Sequence, residues 1–371
     1  MHKTAGLITI HVGPNFGSVL QTYATCKVLE RHGIMTTLIN YIPRRVTISG
    51  FLSNRKTFKA KLWAIMGLPI ILINDLMYGG FVKRHCKLTK KIYNEDGFRK
   101  LSLQFDRFIV GSDQVWRGIW YLKDKEYYFF NFVNDDKKKI AYAASFGVDY
   151  WEGTPELTEK IKPLIKKFDY ISVREESGID ICKNTFGIDN AVCVLDPTLM
   201  ISREDYQLIL DDWKDKSHLK KKYIAHMLLD DTKELKKESQ NIADYLKADI
   251  NYIKGKSFKI FGKDITFYNK VSQWLTYLKD AELVITDSFH CTVFSLIFHK
   301  KFVVVANKAR GIARLETLLS KVGLEDRFFT DIKDVMKSGI LDKKIDYNEV
   351  DKKLEVHRKY SMDFLKKALE D

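Results

Sequence analysis

Four short polar segments follow apolar segments of strand-like composition, and they hold the residues whose types could do chemistry. They are Pro14-Asn15-Phe16-Gly17-Ser18, Gly111-Ser112-Asp113-Gln114-Val115-Trp116, Ser172-Val173-Arg174-Glu175 and Thr286-Asp287-Ser288-Phe289-His290-Cys291. In open α/β sheets, ligands bind at the loops that follow the carboxyl ends of the strands. Guanidinium groups and the free N–H groups of a helix N-terminus bind phosphate and carboxylate. The four segments therefore predict a site for an anionic ligand.

His290 has the most suggestive context among the nine histidines. Ser288 or Asp287 can cap the helix that follows, which puts His290 in the first turn, where the helix dipole favours a bound anion. The alternative is a histidine that simply packs in a capping turn.

The segment around Gly17 is less specific. Gly17 permits a tight turn before a helix, but Asn15 and Ser18 are also ordinary N-cap residues. The segment matches neither a GxGxxG fingerprint nor a Walker loop.

The other two segments each leave two interpretations open. Arg174, at the end of a predicted strand, can hold a carboxylate or phosphate bidentately, or form a surface ion pair with Glu175 or Glu176. Ser112 and Asp113 follow a buried strand, which indicates a functional loop; the alternative is that Asp113 caps a helix.

Metal and cofactor chemistry are not indicated by the sequence. His85-Cys86 and His290-Cys291 are adjacent pairs without the spaced partners that metal sites need. No Gly-x-Ser-x-Gly elbow occurs. We therefore expect no metal and no cofactor.

The elements that must position these residues alternate along the chain. Strands are predicted at 6–10, 35–39, 105–110, 139–144, 170–173, 191–195, 223–229, 249–253, 282–286 and 302–306. Helices are predicted at 18–31, 155–168, 202–213, 232–247, 271–278, 289–298, 312–322 and 347–369. This alternation predicts two α/β domains with a site in the cleft between them. We expect an N-terminal domain over 1–198 with a basic helical insertion at about 52–100, a second domain over 199–345, and a C-terminal helix over 346–371.

The net charge of +14 predicts an anionic partner: nucleic acid, a phospholipid surface or a phosphorylated substrate. Nucleic acid is disfavoured because the basic residues are spread out and match no RRM, KH or helix-turn-helix pattern. The first residues lack a signal-peptide pattern, and no window has the roughly 18 consecutive apolar residues of a membrane span. Five scattered cysteines fit a reducing cytoplasm.

One basic cluster has a special setting, because it flanks the apolar stretch 62–78. Its members are Lys56, Lys59, Lys61, Lys83, Arg84, Lys87, Lys90 and Lys91. The pattern suits a helix pair that lies on an anionic membrane. The alternative is a helical insertion with a solvated basic face and a buried apolar one.

Taken in order, the segments resemble the polysaccharide pyruvyl transferase family. The matching stretches are 15–21, 111–116, Ala141-Tyr142-Ala143-Ala144-Ser145-Phe146-Gly147, 172–175, Asp196-Pro197-Thr198, 286–290 and 313–319 followed by Gly323-Leu324. One departure is Cys291, where the family usually has Gly.

This resemblance implies two Rossmann-like domains in a GT-B-like arrangement. It also implies transfer of pyruvate from phosphoenolpyruvate to a sugar of a cell-surface polysaccharide or its polyprenyl-diphosphate-linked precursor, giving a cyclic ketal. His290 and Arg174 are then expected at the donor site, and Asp113 is a candidate for activating the acceptor hydroxyl. The expected donor-binding residues are Asn15, Gly17, Ser18, Ser112, Arg174, Ser288, His290, Lys308, Arg310 and Arg314.

Two other functions remain open at this point. A GT-B-like glycosyltransferase would use a nucleotide-sugar donor, and a non-catalytic homologue would bind ligand without turnover.

Overall fold

The computed structural model describes residues 3–43, 47, 49, 53, 57–118, 125–214 and 222–370, and the chain divides into two compact units. Unit 1 comprises Met1–Ile201, Phe258–Ile265 and Arg358–Asp371, and unit 2 comprises Ser202–Ser257 and Thr266–His357. Lys56 of the basic cluster and residues 52, 54 and 55 of the predicted insertion lie outside the described residues.

Unit 1 is built on a parallel sheet of six strands. The strands are β1 (Thr4–Ile8), β2 (Met35–Leu38), β3 (Arg107–Val110), β4 (Lys138–Ala144), β5 (Tyr170–Val173) and β6 (Val192–Cys193). Its helices are α1 (Phe16–Arg31), α2 (Phe58–His85), α3 (Glu95–Arg99), α4 (Pro155–Ile165) and α5 (Glu176–Ile181). Shorter helical turns are Lys125–Phe129, Cys182–Phe186 and Pro197–Leu199.

The strand order in unit 1 is β2-β1-β3-β4-β5-β6. Gly6 of β1 pairs with Thr37 of β2 on one side and with Phe108 of β3 on the other. Every residue of β3 is buried, as expected for an inner strand of a parallel sheet that is covered on both faces. The order reverses direction between β1 and β3, and ligands of doubly wound folds bind at this switch point.

Unit 2 is also built on a parallel sheet, and its chain includes the base of a separate hairpin whose tip, Phe258–Ile265, belongs to unit 1. The strands are β7 (Tyr223–Met227), β8 (Asp249–Tyr252), the hairpin strands β9 (Gly255–Ile260) and β10 (Lys263–Tyr268), β11 (Leu283–Thr286), β12 (Lys301–Val305) and β13 (Phe328–Phe329). The helices are α6 (Gln207–Asp211), α7 (Lys233–Leu246), α8 (Val271–Asp280), α9 (Phe289–Ile297), α10 (Ala313–Val322), α11 (Lys333–Lys337) and α12 (Tyr347–Glu370), which continues into unit 1. Shorter turns are Glu204–Tyr206, Lys308–Arg310 and Glu325–Arg327.

The strand order in unit 2 is β13-β12-β11-β7-β8, which repeats the order of the first five strands of unit 1. Val284 of β11 pairs with Ala225 of β7 and with Phe302 of β12. The switch point therefore lies between β7 and β11, and the segment 286–291 begins there.

Three local predictions differ from the structure. In the described part of the predicted helix pair, residues Phe58–His85 form one helix, α2, which continues through Pro69. The predicted helix 202–213 is a 3₁₀ turn followed by the five-residue α6. The hairpin β9–β10 was not predicted, because its alternation of apolar and polar residues is short and interrupted by Gly262.

One side of α2 packs against α1. The rings of Tyr78 and Phe16 lie 5.6 Å apart, and those of Phe81 and Tyr23 lie 6.4 Å apart. Tyr78 is 1% exposed, whereas Leu76, two residues earlier, is 75% exposed. Within the described residues, α2 is the helix long and apolar enough to cross a membrane, judged by length and composition.

The two sides of α2 should respond differently to truncation. Tyr78→Ala is expected to lower the free energy of unfolding by about 3–5 kcal/mol, because it removes a buried ring and leaves a cavity. Leu76→Ala is the control on the same helix and is expected to change it by less than about 0.5 kcal/mol. Urea denaturation followed by circular dichroism measures both, and equal losses would contradict the one-sided packing of α2.

Candidate functional site

In unit 1, the loops after β1 and β3 are tied together at the switch point. Thr9 donates its hydroxyl proton to the carbonyl of Ser112 over 2.6 Å, and Gln21 of α1 donates to the Thr9 hydroxyl over 2.9 Å. All three side chains are buried. These contacts fix the segment 111–116 against the start of α1.

The segment around Gly17 forms the capped start of α1. The Asn15 Oδ1 atom accepts the N–H of Ser18 over 3.1 Å, and the Ser18 hydroxyl donates to the carbonyl of Ile10 over 2.5 Å. Gly17 is buried in the first turn, while Asn15 is exposed. The contacts are those of an N-cap, and a donor-binding role for these three residues remains a prediction.

Arg174 lies in the interior of unit 1, where it pairs with Asp196. Its Nη1 atom donates to Asp196 Oδ2 over 2.7 Å and to the Ser112 hydroxyl over 3.3 Å. The side chains of Arg174 and Asp196 are 1% and 0% exposed. Arg174 is therefore not part of a surface arrangement, the alternative that the sequence left open.

Asp196 accepts hydrogen bonds on both of its carboxylate oxygens. Oδ2 accepts from Ser112 over 2.7 Å as well as from Arg174, and Oδ1 accepts from the N–H and hydroxyl of Thr198. A buried carboxylate needs such partners to offset its loss of hydration. The motifs at 111–116, 172–175 and 196–198 thus meet in one buried network.

Asp113 has a backbone conformation that non-glycine residues rarely adopt, with φ at +83°. Its carbonyl accepts the N–H groups of Val115 and Ser145, and its Oδ1 atom accepts the N–H of Gln114 over 2.8 Å. The carboxylate lies 3.9 Å from Arg174 Nη2. Strain of this kind persists where the surrounding structure holds it, which is common at functional sites.

Two further buried residues of unit 1 have contacts that the sequence did not predict: Glu175, expected only as a surface partner of Arg174, and His11, for which no role was expected. Glu175 is fully buried, and its Oε1 atom accepts the N–H groups of Phe146 and Gly147 over 2.7 and 3.1 Å. His11 is 4% exposed, with Nδ1 3.0 Å from the Thr9 carbonyl and Nε2 3.3 Å from Asn40 Oδ1. Burial lowers the pKa of His11. Their positions next to predicted strands were the available indication.

In unit 2, Asp287 joins the ends of three strands. Its Oδ1 atom accepts the N–H of Leu229, after β7, over 2.8 Å, and its Oδ2 atom accepts from Asn307, after β12, over 2.7 Å. Burial raises the pKa of the Asp287 carboxyl. The sequence suggested Asp287 as a helix cap, but its position at the centre of these loops was missed.

Arg310 is held at the same edge by Asp230. Arg310 Nε and Nη2 donate to the two carboxylate oxygens of Asp230 over 2.9 and 2.8 Å. Asn307 donates to Asp230 as well as to Asp287, so that its amide bridges the two carboxylates. The hydrogen bond from Arg310 lowers the pKa of Asp230 to about 2.

Arg314 and Lys308, the other two cationic residues expected at the donor site, differ in exposure. Arg314 is buried, donates to the Arg310 carbonyl over 2.9 Å, and lies 5.9 Å from the centre of the Phe289 ring. Lys308 is exposed in the turn Lys308–Arg310. The structure thus brings Arg310, Arg314 and Phe289 together at the carboxyl ends of β11 and β12.

His290 lies in the first turn of α9, as predicted from Ser288 at the N-cap. The N–H of Ser288 donates to the Thr286 hydroxyl over 3.0 Å, which shapes the turn. The His290 ring is 7% exposed and lies edge-on to Phe289, with centroids 5.2 Å apart. The Cys291 side chain is fully buried, and burial raises the pKa of its thiol to about 12. Cys291 is therefore a protonated core residue.

Across the described residues, no group of three or more His, Cys, Asp and Glu side chains is placed to hold a metal ion.

The Arg310–Asp230 pair should make the stability of unit 2 depend on acid pH. The pKa of Asp230 is about 2 in the folded chain against an ordinary value of 3.8, so the carboxylate stabilises the fold above about pH 4. That contribution is lost as the pH falls towards 2. The difference in unfolding free energy between the wild type and Asp230→Asn should therefore shrink over this range. Asp264→Asn, at an exposed position, is the control, and a difference independent of pH would contradict the pairing.

Comparison with solved structures supports the architecture. A protein described as a UDP-N-acetylglucosamine 2-epimerase from Listeria monocytogenes has a TM-score of 0.55 and 11% identity, with 96% of this chain and 91% of that chain covered. The MnaA protein of S. aureus, solved with UDP, has a TM-score of 0.53 and 12% identity, with coverage of 92% and 88%. At such identities the likeness shows the fold alone. It confirms the predicted α/β class with two Rossmann-like domains of the GT-B kind.

Comparison of the sequence with known proteins identifies the family, which the comparison of structures does not. No curated protein matches the sequence. The model of one protein family, however, matches residues 15–309, which is most of the chain and includes the four polar segments described at the outset, except Pro14. The chain therefore belongs to the polysaccharide pyruvyl transferase family, and it is a transferase.

Proposed function

We propose that the protein transfers pyruvate from phosphoenolpyruvate to a sugar of a cell-surface polysaccharide or of its polyprenyl-diphosphate-linked precursor, forming a pyruvate ketal. The observation that carries this proposal is the group of residues at the switch point of unit 2. There, Asp287 and Asn307 link the loops after β7, β11 and β12, and His290 lies in the first turn of α9.

The charge of the donor matches this group. Phosphoenolpyruvate carries a phosphate and a carboxylate, so its binding needs several cationic and N–H donors. Arg310 and Lys308 follow β12, Arg314 lies against Phe289, and the first turn of α9 presents backbone N–H groups to an anion. We assign the donor phosphate to this edge of the unit 2 sheet, with Ser288 and His290 at the start of the helix.

The reaction itself requires proton transfers. A proton is added to the vinyl carbon, and a sugar hydroxyl attacks the adjacent carbon. A second hydroxyl then attacks that carbon as its bond to the phosphate oxygen breaks. The two hydroxyl protons are balanced by one proton on the new methyl group and one on the released phosphate. We assign proton transfer or phosphate contact to His290, a step worth roughly 10²- to 10⁴-fold in rate.

The resemblance implied a donor-site role for Arg174. Because its side chain is 1% exposed and bonded to Asp196, we instead propose that Arg174 positions the acceptor loop of unit 1. Its buried bonds to Asp196 and Ser112 hold the segment that presents Asp113, our candidate for activating the acceptor hydroxyl. Asn15, Gly17 and Ser18 shape the neighbouring turn at the same switch point. Arg174 thus acts through Ser112 and Asp113.

The proposed acceptor indicates where in the cell the protein works. A polyprenyl-diphosphate-linked sugar lies at the inner face of the cell membrane, so we propose a cytoplasmic protein that associates with that surface. Nucleic acid is not among the proposed partners.

The donor class is tested by thermal unfolding in the presence of ligands. Phosphoenolpyruvate at a hundredfold excess over its Kd is expected to stabilise the fold by about 2.7 kcal/mol and to raise Tm by several degrees. Pyruvate plus inorganic phosphate is the control mixture and should have a smaller effect. Stabilisation by UDP-sugars instead of phosphoenolpyruvate would favour the glycosyltransferase alternative and overturn the proposal.

His290 is tested by its effect on turnover. His290→Ala is expected to lower phosphate release from phosphoenolpyruvate and acceptor by about 10²-fold or more, because proton transfer or phosphate contact is lost. His299→Ala is the matched control, since His299 is 42% exposed and pairs with Asp351. Turnover close to that of the wild type in His290→Ala would remove His290 from the reaction. Phosphoenolpyruvate binding without turnover in the wild type would indicate the non-catalytic alternative.

A further inference from the structure

The outward face of α2 is apolar and uncovered by the described residues. Its exposed side chains recur at intervals of four and seven residues: Phe58, Ile65, Met66, Leu72, Ile73 and Leu76, with exposures from 37% to 82%. At 100° per residue these positions share one face of the helix. The opposite face is the buried one, with Ala64, Gly67, Asn74, Tyr78 and Phe81.

A helix that is apolar on all sides is normally buried on all sides. The inward face of α2 is covered through contacts such as Tyr78 with Phe16 and Phe81 with Tyr23. An 18-residue window of α2, with both faces included, has a mean hydropathy of 1.6. The outward side chains have no such cover among the described residues. An exposed apolar surface of this size marks an interaction site.

The charge of the residues in and next to α2 indicates which partner covers the outward face. Residues 58–91 contain seven Lys and Arg and one Asp, a net charge of +6 out of +14 for the whole chain. Lys61 and Lys83 lie on the outward face itself, 22 residues and therefore about 33 Å apart. The single acid, Asp75, is half-buried, and burial raises the pKa of its carboxyl. The face thus has an apolar centre and basic ends.

Two occupants can be compared on these grounds. A second copy of the chain would bring two faces of net positive charge together, which is unfavourable. An anionic lipid surface satisfies both features, because its acyl boundary takes the apolar side chains and its headgroups attract the lysines.

We propose that α2 lies flat on an anionic membrane, with its outward face in the headgroup and acyl boundary and its inward face still packed on α1. Membrane binding by α2 does not depend on the proposed function. Only its suggested purpose, to bring unit 1 to a lipid-linked acceptor, rests on that function. Phe16, which touches Tyr78, belongs to the segment at the switch point of unit 1, so the docked helix lies next to the loops assigned to the acceptor.

The test is flotation of the purified full-length protein with vesicles. We expect the protein to float with vesicles of 70% phosphatidylcholine and 30% phosphatidylglycerol, to stay behind with phosphatidylcholine alone, and to be released by high salt. Lys61→Gln/Lys83→Gln should lower partitioning into the vesicles by about thirtyfold, since the loss of each lysine near an anionic surface lowers it by about fivefold. Leu72→Ser/Leu76→Ser should lower it by about tenfold or more.

Matched controls lie in unit 2. Lys233→Gln/Lys237→Gln removes two exposed lysines from α7, and Leu208→Ser removes a leucine that is 70% exposed. Both should float as the wild type does. Circular dichroism should show that all four variants remain folded.

Three outcomes would overturn the proposal. The first is a wild type that does not float with anionic vesicles, or α2 variants that float as well as it does. The second is a lipid-free dimer that Leu72→Ser/Leu76→Ser converts to a monomer, which would assign the face to a second copy. The third is membrane binding that resists both salt and carbonate, which would mean that α2 spans the bilayer. Stabilisation by phosphoenolpyruvate without lipid is measured separately, so failure of one proposal does not imply failure of the other.

Discussion

Each unit depends on one buried carboxylate that gathers the loops at its switch point. In unit 2, Asp287 accepts from Leu229 and Asn307, and in unit 1, Asp196 accepts from Arg174, Ser112 and Thr198. A parallel sheet brings polar loops to one edge but does not fix their conformations. A carboxylate taken out of water is costly unless its oxygens are satisfied, so each position selects one arrangement of its loops. The chemistry we propose depends on that arrangement, because Arg310, His290 and Asp113 are all placed by it.

Much of the fold follows from the sequence, because alternation of strand-like and helical segments is a local pattern. Residues 35–39 and 223–229 were predicted as strands and contain β2 and β7. Partners distant in sequence could not be predicted in the same way. Asp287 and Leu229 are 58 residues apart, and Arg174 and Asp196 are 22 residues apart. The sequence therefore identified the polar segments but not the hydrogen bonds that join one segment to another. The interior position of Arg174 likewise depends on tertiary packing, which no local pattern encodes.

The basic residues of the chain fall into two groups according to their location. Arg174 is neutralised by Asp196 inside unit 1, and Arg310 by Asp230 at the edge of unit 2, so neither contributes much to a long-range field. Residues 58–91, around the outward face of α2, carry a net charge of +6 out of the +14 of the whole chain. Our proposals give these basic residues different tasks. We propose that Arg310 acts at short range on a small anionic donor, that Arg174 positions the acceptor loop, and that the lysines of α2 act on a membrane surface.

The proposed chemistry requires that the donor is phosphoenolpyruvate and that it binds at the switch point of unit 2. A crystal structure of the protein soaked with phosphoenolpyruvate tests both parts at once. We predict its phosphate within hydrogen-bond distance of the first turn of α9 and of Arg310, with the His290 ring against the phosphate or the vinyl carbon. Phosphoenolpyruvate bound elsewhere, or a site that takes up a nucleotide sugar and excludes phosphoenolpyruvate, would contradict the account.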